Sequence, residues 1–307
     1  MHVNPAQLAG ACILIFGGAG FIGAHLARRL AMLRAEVVCA SRSAPAGRWK
    51  NCVTIERCDA SDLAAVSRLM DKVRPDLVYQ LTSDSRGGGA LSLIPDSIRN
   101  DVMATVNVLT ASAERGTRTV VAGSFEEPIG KADSAVPSSP YAAAKWAGAG
   151  YARMFSELHG LPVSVLRVMM TYGPGQKDYK VLPYVIRKIA AGEPAMLSNG
   201  ARQLDWVYVD DVADAFARAG AAPYPGAQSI PIGSGRTWPL RKLLETVGTM
   251  MGRADLLHFG AGEVRRMERE EAADLAPAAR LLGWRATTSL EEGLRATIAA
   301  YSDGRSP

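Results

Sequence analysis

Cysteine is scarce in this chain of 307 residues. Its four copies, Cys12, Cys39, Cys52 and Cys58, all fall in the first fifth of the sequence and form no CxxC pair. That usage argues against a metal site, and Cys12 and Cys39 lie in apolar runs where a free thiol acts as a small hydrophobe. A reducing cytoplasm is the expected location. Runs of positive charge are missing too. No Lys/Arg stretch exceeds two residues, and no aromatics interleave with a basic stripe. Nucleic-acid binding is therefore not expected, although 35 basic residues outnumber 30 acidic ones and leave a net charge of +5. The mild excess suits a polyanionic small ligand instead. No apolar run of membrane-spanning length is free of turn glycines, and no charged segment precedes an apolar core at the N-terminus. Neither a membrane span nor a signal peptide is expected. Internal repeats and low-complexity tracts are also lacking. What is left, 48% hydrophobic and 21% charged residues, is the make-up of an ordinary soluble globular protein. Its length allows one large α/β unit or two lobes.

What the chain does have begins with GGAGFIG at Gly17–Gly23. The glycines follow the uncharged apolar run Cys12–Phe16, the pattern of a buried parallel strand, and lead into the helical periodicity of Phe21–Leu30. Strand, glycine turn and helix together place backbone N–H groups and the positive end of a helix dipole against a pyrophosphate. In that arrangement Gly17 permits the tight turn, Gly20 lets the backbone approach the phosphates, and Gly23 allows close helix–strand packing. Phe21 and Ile22 supply first-turn N–H groups. The next strand, Ala35–Ala40, ends without the carboxylate that holds the ribose 2′-OH of NAD. Ser41 and Arg42 stand there, followed by Arg48 and Lys50. A guanidinium pairs with a 2′-phosphate that a carboxylate would repel, so NADP(H) is expected over NAD. A solvated loop charge is the plainer alternative for Arg42.

Strand and helix patterns alternate through the first two-thirds. Strands are expected at Val53–Cys58, Pro75–Leu81, Thr119–Gly123 and Val163–Val168. Helices are expected at Leu63–Val73, at about 96–114, and from Ser139 or Pro140 to about His159. Ser85–Gly89 and Glu126–Ser139 read as loops. Strands separated by helices force right-handed crossovers and a parallel sheet. The fold class is therefore α/β, a Rossmann-type doubly wound parallel sheet with a smaller C-terminal substrate-binding lobe. The cofactor domain is placed at 1–170, with 204–233 returning to it, and the lobe at 171–203 and 234–307. Shorter helices are expected in that lobe at Leu182–Ala191 and Trp238–Met251, with an irregular charged stretch from Arg253 to Arg269.

Tyr141 and Lys145, four apart on a helix, project from one face. A tyrosine hydroxyl with a free pKa of ~10 is a poor base at neutral pH. A nearby ammonium and a positive nicotinamide would lower that value, the match that general acid–base work requires. Ser124, at the end of the Thr119–Gly123 strand, can hydrogen-bond the same substrate oxygen.

With these residues the chain resembles the extended short-chain dehydrogenase/reductase family, the nucleotide-sugar epimerase, dehydratase and ketoreductase group. The resemblance runs over nearly the whole length. It rests on GGAGFIG, Asp59, the Ser124/Tyr141/Lys145 set, Tyr172–Gly175, Asp205–Asp211 and Leu282-Gly283-Trp284. It implies that Asp59, with Ala60, meets the adenine, that Leu81 and Thr82 line the cofactor, and that the segment after Tyr172 faces the nucleotide sugar. It also implies a homodimer, in which helices at about 96–114 and 139–159 pair into a four-helix bundle. Val102, Val106, Leu109, Ala142, Ala149, Met154 and Leu158 would supply that face. The chain departs from the family pattern at four places. Met170 replaces a frequent Asn, Leu204 replaces an Arg (with Arg202 two positions away), Asp101 stands where many relatives carry Asn, and Gly130 falls one position late. Arg202, Arg265 and Arg266 are candidates for the substrate diphosphate, with Met170 beside the sugar.

In that group one tyrosine serves ketoreduction, epimerisation and dehydration. An Arg42-type NADP site suits a reductase, since an epimerase or dehydratase recycles its bound cofactor. Gly173–Asp178 and Met170 also resemble reductases of 4-keto-6-deoxy sugars. Against this, Ser124-x-Glu126 resembles the Thr/Ser-x-Glu of hexose 4,6-dehydratases, whose Glu takes the proton from sugar carbon 5. Glu126 also reads as a plain loop carboxylate. The expected activity is NADPH-dependent 4-keto reduction of a nucleotide-activated deoxyhexose, with a 4-epimerase or 4,6-dehydratase as the alternative.

Overall fold

The computed structural model describes residues 3–43, 47–49, 53–86, 88–128, 135–224, 226–262 and 269–302. In chain order the elements begin with β1 (Cys12–Phe16), α1 (Phe21–Met32), β2 (Glu36–Ser41), β3 (Gly47–Trp49), β4 (Val53–Arg57), α2 (Leu63–Val73) and β5 (Leu77–Gln80). Then come α3 (Leu93–Ser97), α4 (Ala104–Arg115), β6 (Arg118–Ser124), α5 (Pro140–His159), β7 (Val163–Val168), β8 (Met170–Tyr172) and α6 (Val181–Ala190). The remainder are β9 (Ala195–Leu197), β10 (Gln203–Tyr208), α7 (Val209–Ala221), β11 (Ser229–Ile232), β12 (Thr237–Pro239), α8 (Leu240–Met250), β13 (Leu257–Phe259), α9 (Leu275–Leu282) and α10 (Leu290–Ser302). The chain divides into two compact units, Met1–Val168 with Ala213–Ile232 and Ala276–Trp284, and Met169–Val212 with Gly233–Leu275 and Arg285–Pro307.

The first unit holds an eight-stranded sheet in the order β11-β7-β6-β5-β1-β2-β4-β3. Every neighbouring pair is parallel except β3 with β4. The three-residue β3 escapes a periodicity reading because it is too short to show alternation. Central strands are buried on both faces, and Ile13, Leu14, Ile15 and Phe16 have no exposed surface. The chain runs from β1 outward to β2 and β4, then returns to place β5 on the other side of β1. That reversal opens a crevice at the carboxyl ends of β1 and β5, where such sheets take ligands.

Local signals explain the helices that flank it. Asp62 caps α2 by accepting the Ala65 N–H at 3.2 Å. Ser139 caps α5 by accepting the Ala142 N–H at 3.1 Å, with Pro140 in the first turn. The long helix expected at 96–114 is instead three pieces, α3, a π-helical stretch Ile98–Met103, and α4. Within that wider turn Asp101 is only 1% exposed. Leu109, Ala142 and Ala149, expected on a dimer face, are buried in their own unit, where Leu109 and Ala149 pack in one cluster with Val121, Val163 and Val165 of the sheet.

In the second unit β10 pairs parallel with β8 and antiparallel with β12, and β9 pairs with β13. This pairing assigns 204–212 to the second unit, so the return to the sheet narrows to Ala213–Ile232 and gains Ala276–Trp284. β13 also interrupts the stretch expected to be irregular. Two carboxylates hold these short strands. Asp205 accepts from the Ser234 N–H (2.7 Å), Ser234 Oγ (2.7 Å), and the Gly235 and Ala273 N–H groups (2.9 Å each). Asp211 accepts from the Thr287 N–H (3.2 Å), Thr287 Oγ1 (2.9 Å) and the Thr288 N–H (3.0 Å). Among the described residues no helix is long and apolar enough to cross a membrane.

Candidate active site

The glycine turn is shaped by close backbone approach. Gly17 has φ +81°, and a Cβ there would lie 2.8 Å from Leu81 C and Thr82 N, so the ends of β1 and β5 touch only because the side chain is missing. A Cβ on Gly23 would sit 2.2 Å from the Gly17 carbonyl oxygen. Gly18, which sequence reading passed over, is held by Cys39: a Cβ there would come within 2.4 Å of Sγ. Burial pushes that thiol up to about 12, so it stays protonated and inert. Gly20 caps α1 with no side-chain hydrogen bond. The first-turn N–H groups of Phe21, Ile22 and Gly23 are therefore left for an anion. These residues fit the pyrophosphate of a dinucleotide, since the cradle exists only where Cβ atoms are absent.

At the end of β2, Ser41 is half-buried and Arg42 exposed. The Arg42 guanidinium donates to Asn100 Oδ1 at 2.7 Å. Asp59 accepts from Ser61 N–H (3.0 Å) and Ser61 Oγ (2.7 Å), and from Arg99 Nη2 (3.0 Å). Burial opposes its charge, but the Ser61 hydrogen bonds and the Arg99 and Arg42 guanidiniums hold its carboxyl below the ordinary value. Arg99 is a second cation at this end that no motif signals. Ala60 is buried, and Thr82 Oγ1 accepts from Gln80 Nε2 at 2.6 Å beside half-buried Leu81.

Ser124, Tyr141 and Lys145 come together at the carboxyl end of β6. Ser124 is hydrogen-bonded to Tyr141. Lys145 Nζ donates to the Ala122 carbonyl at 3.1 Å and lies 5.9 Å from the centre of the Tyr141 ring. The expected lowering of the Tyr141 pKa is not what the chain's own groups produce. Burial pushes the hydroxyl above its ordinary value against the Ser124 hydrogen bond, and the Asp101, Glu126 and Glu127 carboxylates add to the rise.

The two glutamates divide. Glu127 is buried and its Oε1 accepts the Ser124 N–H at 2.6 Å, while buried Arg167 donates to the carbonyls of Phe125 (2.8 Å) and Glu127 (3.4 Å). Burial raises the Glu127 carboxyl, and the Ser124 N–H and Arg167 oppose that rise. Its place is structural, clamping the turn that carries Ser124. Glu126 is half-buried, accepts from Ser138 Oγ at 3.2 Å, and its field reaches Tyr141. Beside Tyr141 a shallow cleft is lined by Asp84, Arg86, Leu93, Ser97 and Pro140. Arg86 bridges Asp84 and Asp96 there, the latter at 2.6 Å, inside a segment whose glycines marked it only as a loop.

In the second unit Met170 opens β8 half-buried, and Arg202 donates to the Arg269 carbonyl at 3.0–3.1 Å. Arg265 and Arg266 lie outside the described residues.

Residues 13–233 match the model of a family described as the NAD dependent epimerase/dehydratase family. The chain is similar to a UDP-glucose 4-epimerase of Mycolicibacterium smegmatis, 28% identical with 93% of this chain and 96% of that one covered. It is also similar to a dTDP-glucose 4,6-dehydratase of Neisseria gonorrhoeae, 27% identical over 95% of this chain and 96% of that one. Among solved structures, MoeE5 in complex with UDP-glucuronic acid and NAD superposes with a TM-score of 0.84 at 26% identity, covering 95% of this chain and 99% of that one.

Proposed function

The chain belongs to the NAD dependent epimerase/dehydratase family, and from that premise we propose that it is a cytoplasmic NADP(H)-dependent reductase of the 4-keto group of a nucleotide-activated deoxyhexose. The end of β2 carries this reading. Arg42 stands there instead of a carboxylate, steadied by Asn100, and the nearby Asp59 is engaged by Arg99 and Ser61. A site that prefers the phosphorylated cofactor suits an enzyme that consumes reducing equivalents.

Gly17, Gly20, Phe21, Ile22 and Gly23 would hold the pyrophosphate, Ser41 and Arg42 the 2′-phosphate, and Asp59, Ala60, Leu81 and Thr82 the adenine and the cofactor's flank. When bound, the reduced nicotinamide supplies a hydride to the sugar carbonyl carbon. Ser124 orients the carbonyl oxygen, and Tyr141 gives its proton to the alkoxide formed there. Lys145 holds the nicotinamide ribose and the orientation of Tyr141. Arg202 and Met170, with Arg265 and Arg266, are assigned to the nucleotide sugar. A second reading, 4-epimerase or 4,6-dehydratase, is favoured by the names of the relatives and by the Glu126 carboxylate, whose field reaches Tyr141.

The test is what the purified protein carries through gel filtration. A reductase exchanges its cofactor and takes up NADPH, whereas tightly retained oxidised cofactor marks the second reading. NADPH is expected to bind more tightly than NADH, and Arg42→Ala to cost NADPH about 1.5–3 kcal/mol, roughly tenfold or more in Kd. NADH affinity should not change, as read by fluorescence titration. Equal affinities in the unmutated protein would contradict the preference.

The protein is proposed to be a homodimer through the helices at 93–115 and α5. Ile98, Met103, Tyr151 and Leu158 are exposed there, with half-buried Val102, Val106 and Met154 beside them. Light scattering at micromolar concentration should give twice the chain mass, and a monomer mass would rule it out.

A further inference from the structure

We infer that Asp101 is a positioning residue that offsets the ammonium of Lys145 and so keeps Tyr141 a proton donor rather than a base. The direction of use rests on the reductase reading above, whereas the electrostatic role does not.

The geometry begins with the π-helical stretch Ile98–Met103. It sends two consecutive side chains to different places. Asn100 holds Arg42 at the cofactor end, and Asp101 turns inward against the catalytic pair. Asp101 Oδ1 lies 3.8 Å from Lys145 Nζ, with side-chain exposures of 1% and 7%. Oδ2 accepts the Asp84 N–H at 3.2 Å, which ties the loop after β5 to the same point. Oδ1 has no hydrogen-bond partner among the described residues. An amide at position 101 would serve the Asp84 N–H equally well, so that hydrogen bond does not require an acid. Among the described residues the opposite charge this close is the Lys145 ammonium.

The groups facing this pair come from several elements. Lys145 and Asp84 act on Asp101, and Asp101, Glu126 and Glu127 act on Tyr141. Lys145, Arg167 and Arg153 act on Glu127. Burial raises the Asp101 carboxyl, and the Lys145 ammonium, the Ser83 hydrogen bond and the Asp84 N–H oppose that rise. An unopposed ammonium would stabilise a Tyr141 phenolate, whereas a neutral Lys145–Asp101 pair does not. A protonated tyrosine is what a carbonyl needs when it becomes an alcohol. Oxidation of a sugar hydroxyl, the opening step of epimerisation or dehydration, needs the phenolate.

The experiment is an ultraviolet titration of tyrosinate absorbance on the purified chain. It takes Tyr141 as the difference between each background and its Tyr141→Phe partner. Asp101→Asn is expected to lower the Tyr141 midpoint by about one pH unit. Asp101→Ser is a second uncharged variant expected to give the same shift, and Asp101→Glu should restore the high midpoint. Circular dichroism confirms the fold in each. A midpoint unmoved in a folded uncharged variant overturns the inference and leaves the reductase reading intact. A shifted midpoint in an enzyme that turns over only the intact 4-hydroxy sugar, without NADPH, overturns the direction together with that reading. A shifted midpoint in an NADPH-consuming enzyme supports both.

Discussion

Tyr141→Phe should lower NADPH-dependent turnover of a 4-keto-6-deoxy nucleotide sugar by about two to four powers of ten, the usual worth of general acid catalysis. The variant keeps the ring and loses only the hydroxyl. Lys145 still donates to the Ala122 carbonyl and still faces Asp101, so the cofactor side of the site should be unchanged. Affinity for NADPH should accordingly stay within a few-fold of the unmutated protein, which separates lost chemistry from lost binding. Glu126→Gln distinguishes the two reactions. Ketoreduction takes no proton from carbon 5, so that variant should turn over almost normally. A dehydratase would instead lose nearly as much with Glu126→Gln as with Tyr141→Phe, and solvent deuterium would enter its product. Assays on the 4-keto sugar with NADPH, then on the intact 4-hydroxy sugar without it, decide the matter. Activity confined to the intact sugar would discard the reductase assignment.

Much of the sheet could be read in the sequence because its strands are short apolar runs bounded by strong signals. β1 ends at glycines, β7 follows Gly160 and Pro162, α2 opens on Asp62 and α5 on Ser139-Pro140. The Tyr141/Lys145 spacing could also be read, since residues four apart on a helix share a face. Asp101 could be noticed only as an unusual residue. Its meeting with Lys145 depends on a π-helical turn, a one-residue insertion that helical periodicity conceals. Glu127 was hidden for another reason. Two adjacent glutamates in a polar loop look alike, and the difference lies in which one reaches the Ser124 N–H under buried Arg167. The second unit gave weak signals because its strands are mostly three residues long and are held by the Asp205 and Asp211 carboxylates rather than by apolar alternation.

Gly23→Ala should damage both stability and cofactor binding, although it adds a single methyl group. The new Cβ would lie 2.2 Å from the Gly17 carbonyl oxygen and 2.8 Å from Gly18 Cα, and neither is the free end of a flexible side chain. The Gly17 carbonyl also accepts the Gly20 N–H at 2.9 Å, so any retreat of Gly17 moves the whole turn. Gly17 has little room to retreat on its other side, where even a Cβ of its own would lie 2.8 Å from Leu81 C and Thr82 N. The strain has to be relieved by shifting the start of α1, at a cost of about 1–3 kcal/mol in stability by analogy with overpacked cores. The same shift withdraws first-turn N–H groups from the pyrophosphate. Losing one such charge-assisted contact is worth about 1.5–3 kcal/mol, a rise of roughly tenfold to a hundredfold in cofactor Kd. Gly89→Ala is the control, since nothing lies within 4 Å of a Cβ there and its φ is ordinary. It should leave both the melting temperature and the cofactor Kd where they were. Thermal melts and cofactor titrations on the two variants check the contrast. A Gly23→Ala protein that binds NADPH and melts like the Gly89→Ala control would show that the turn does not cradle the pyrophosphate.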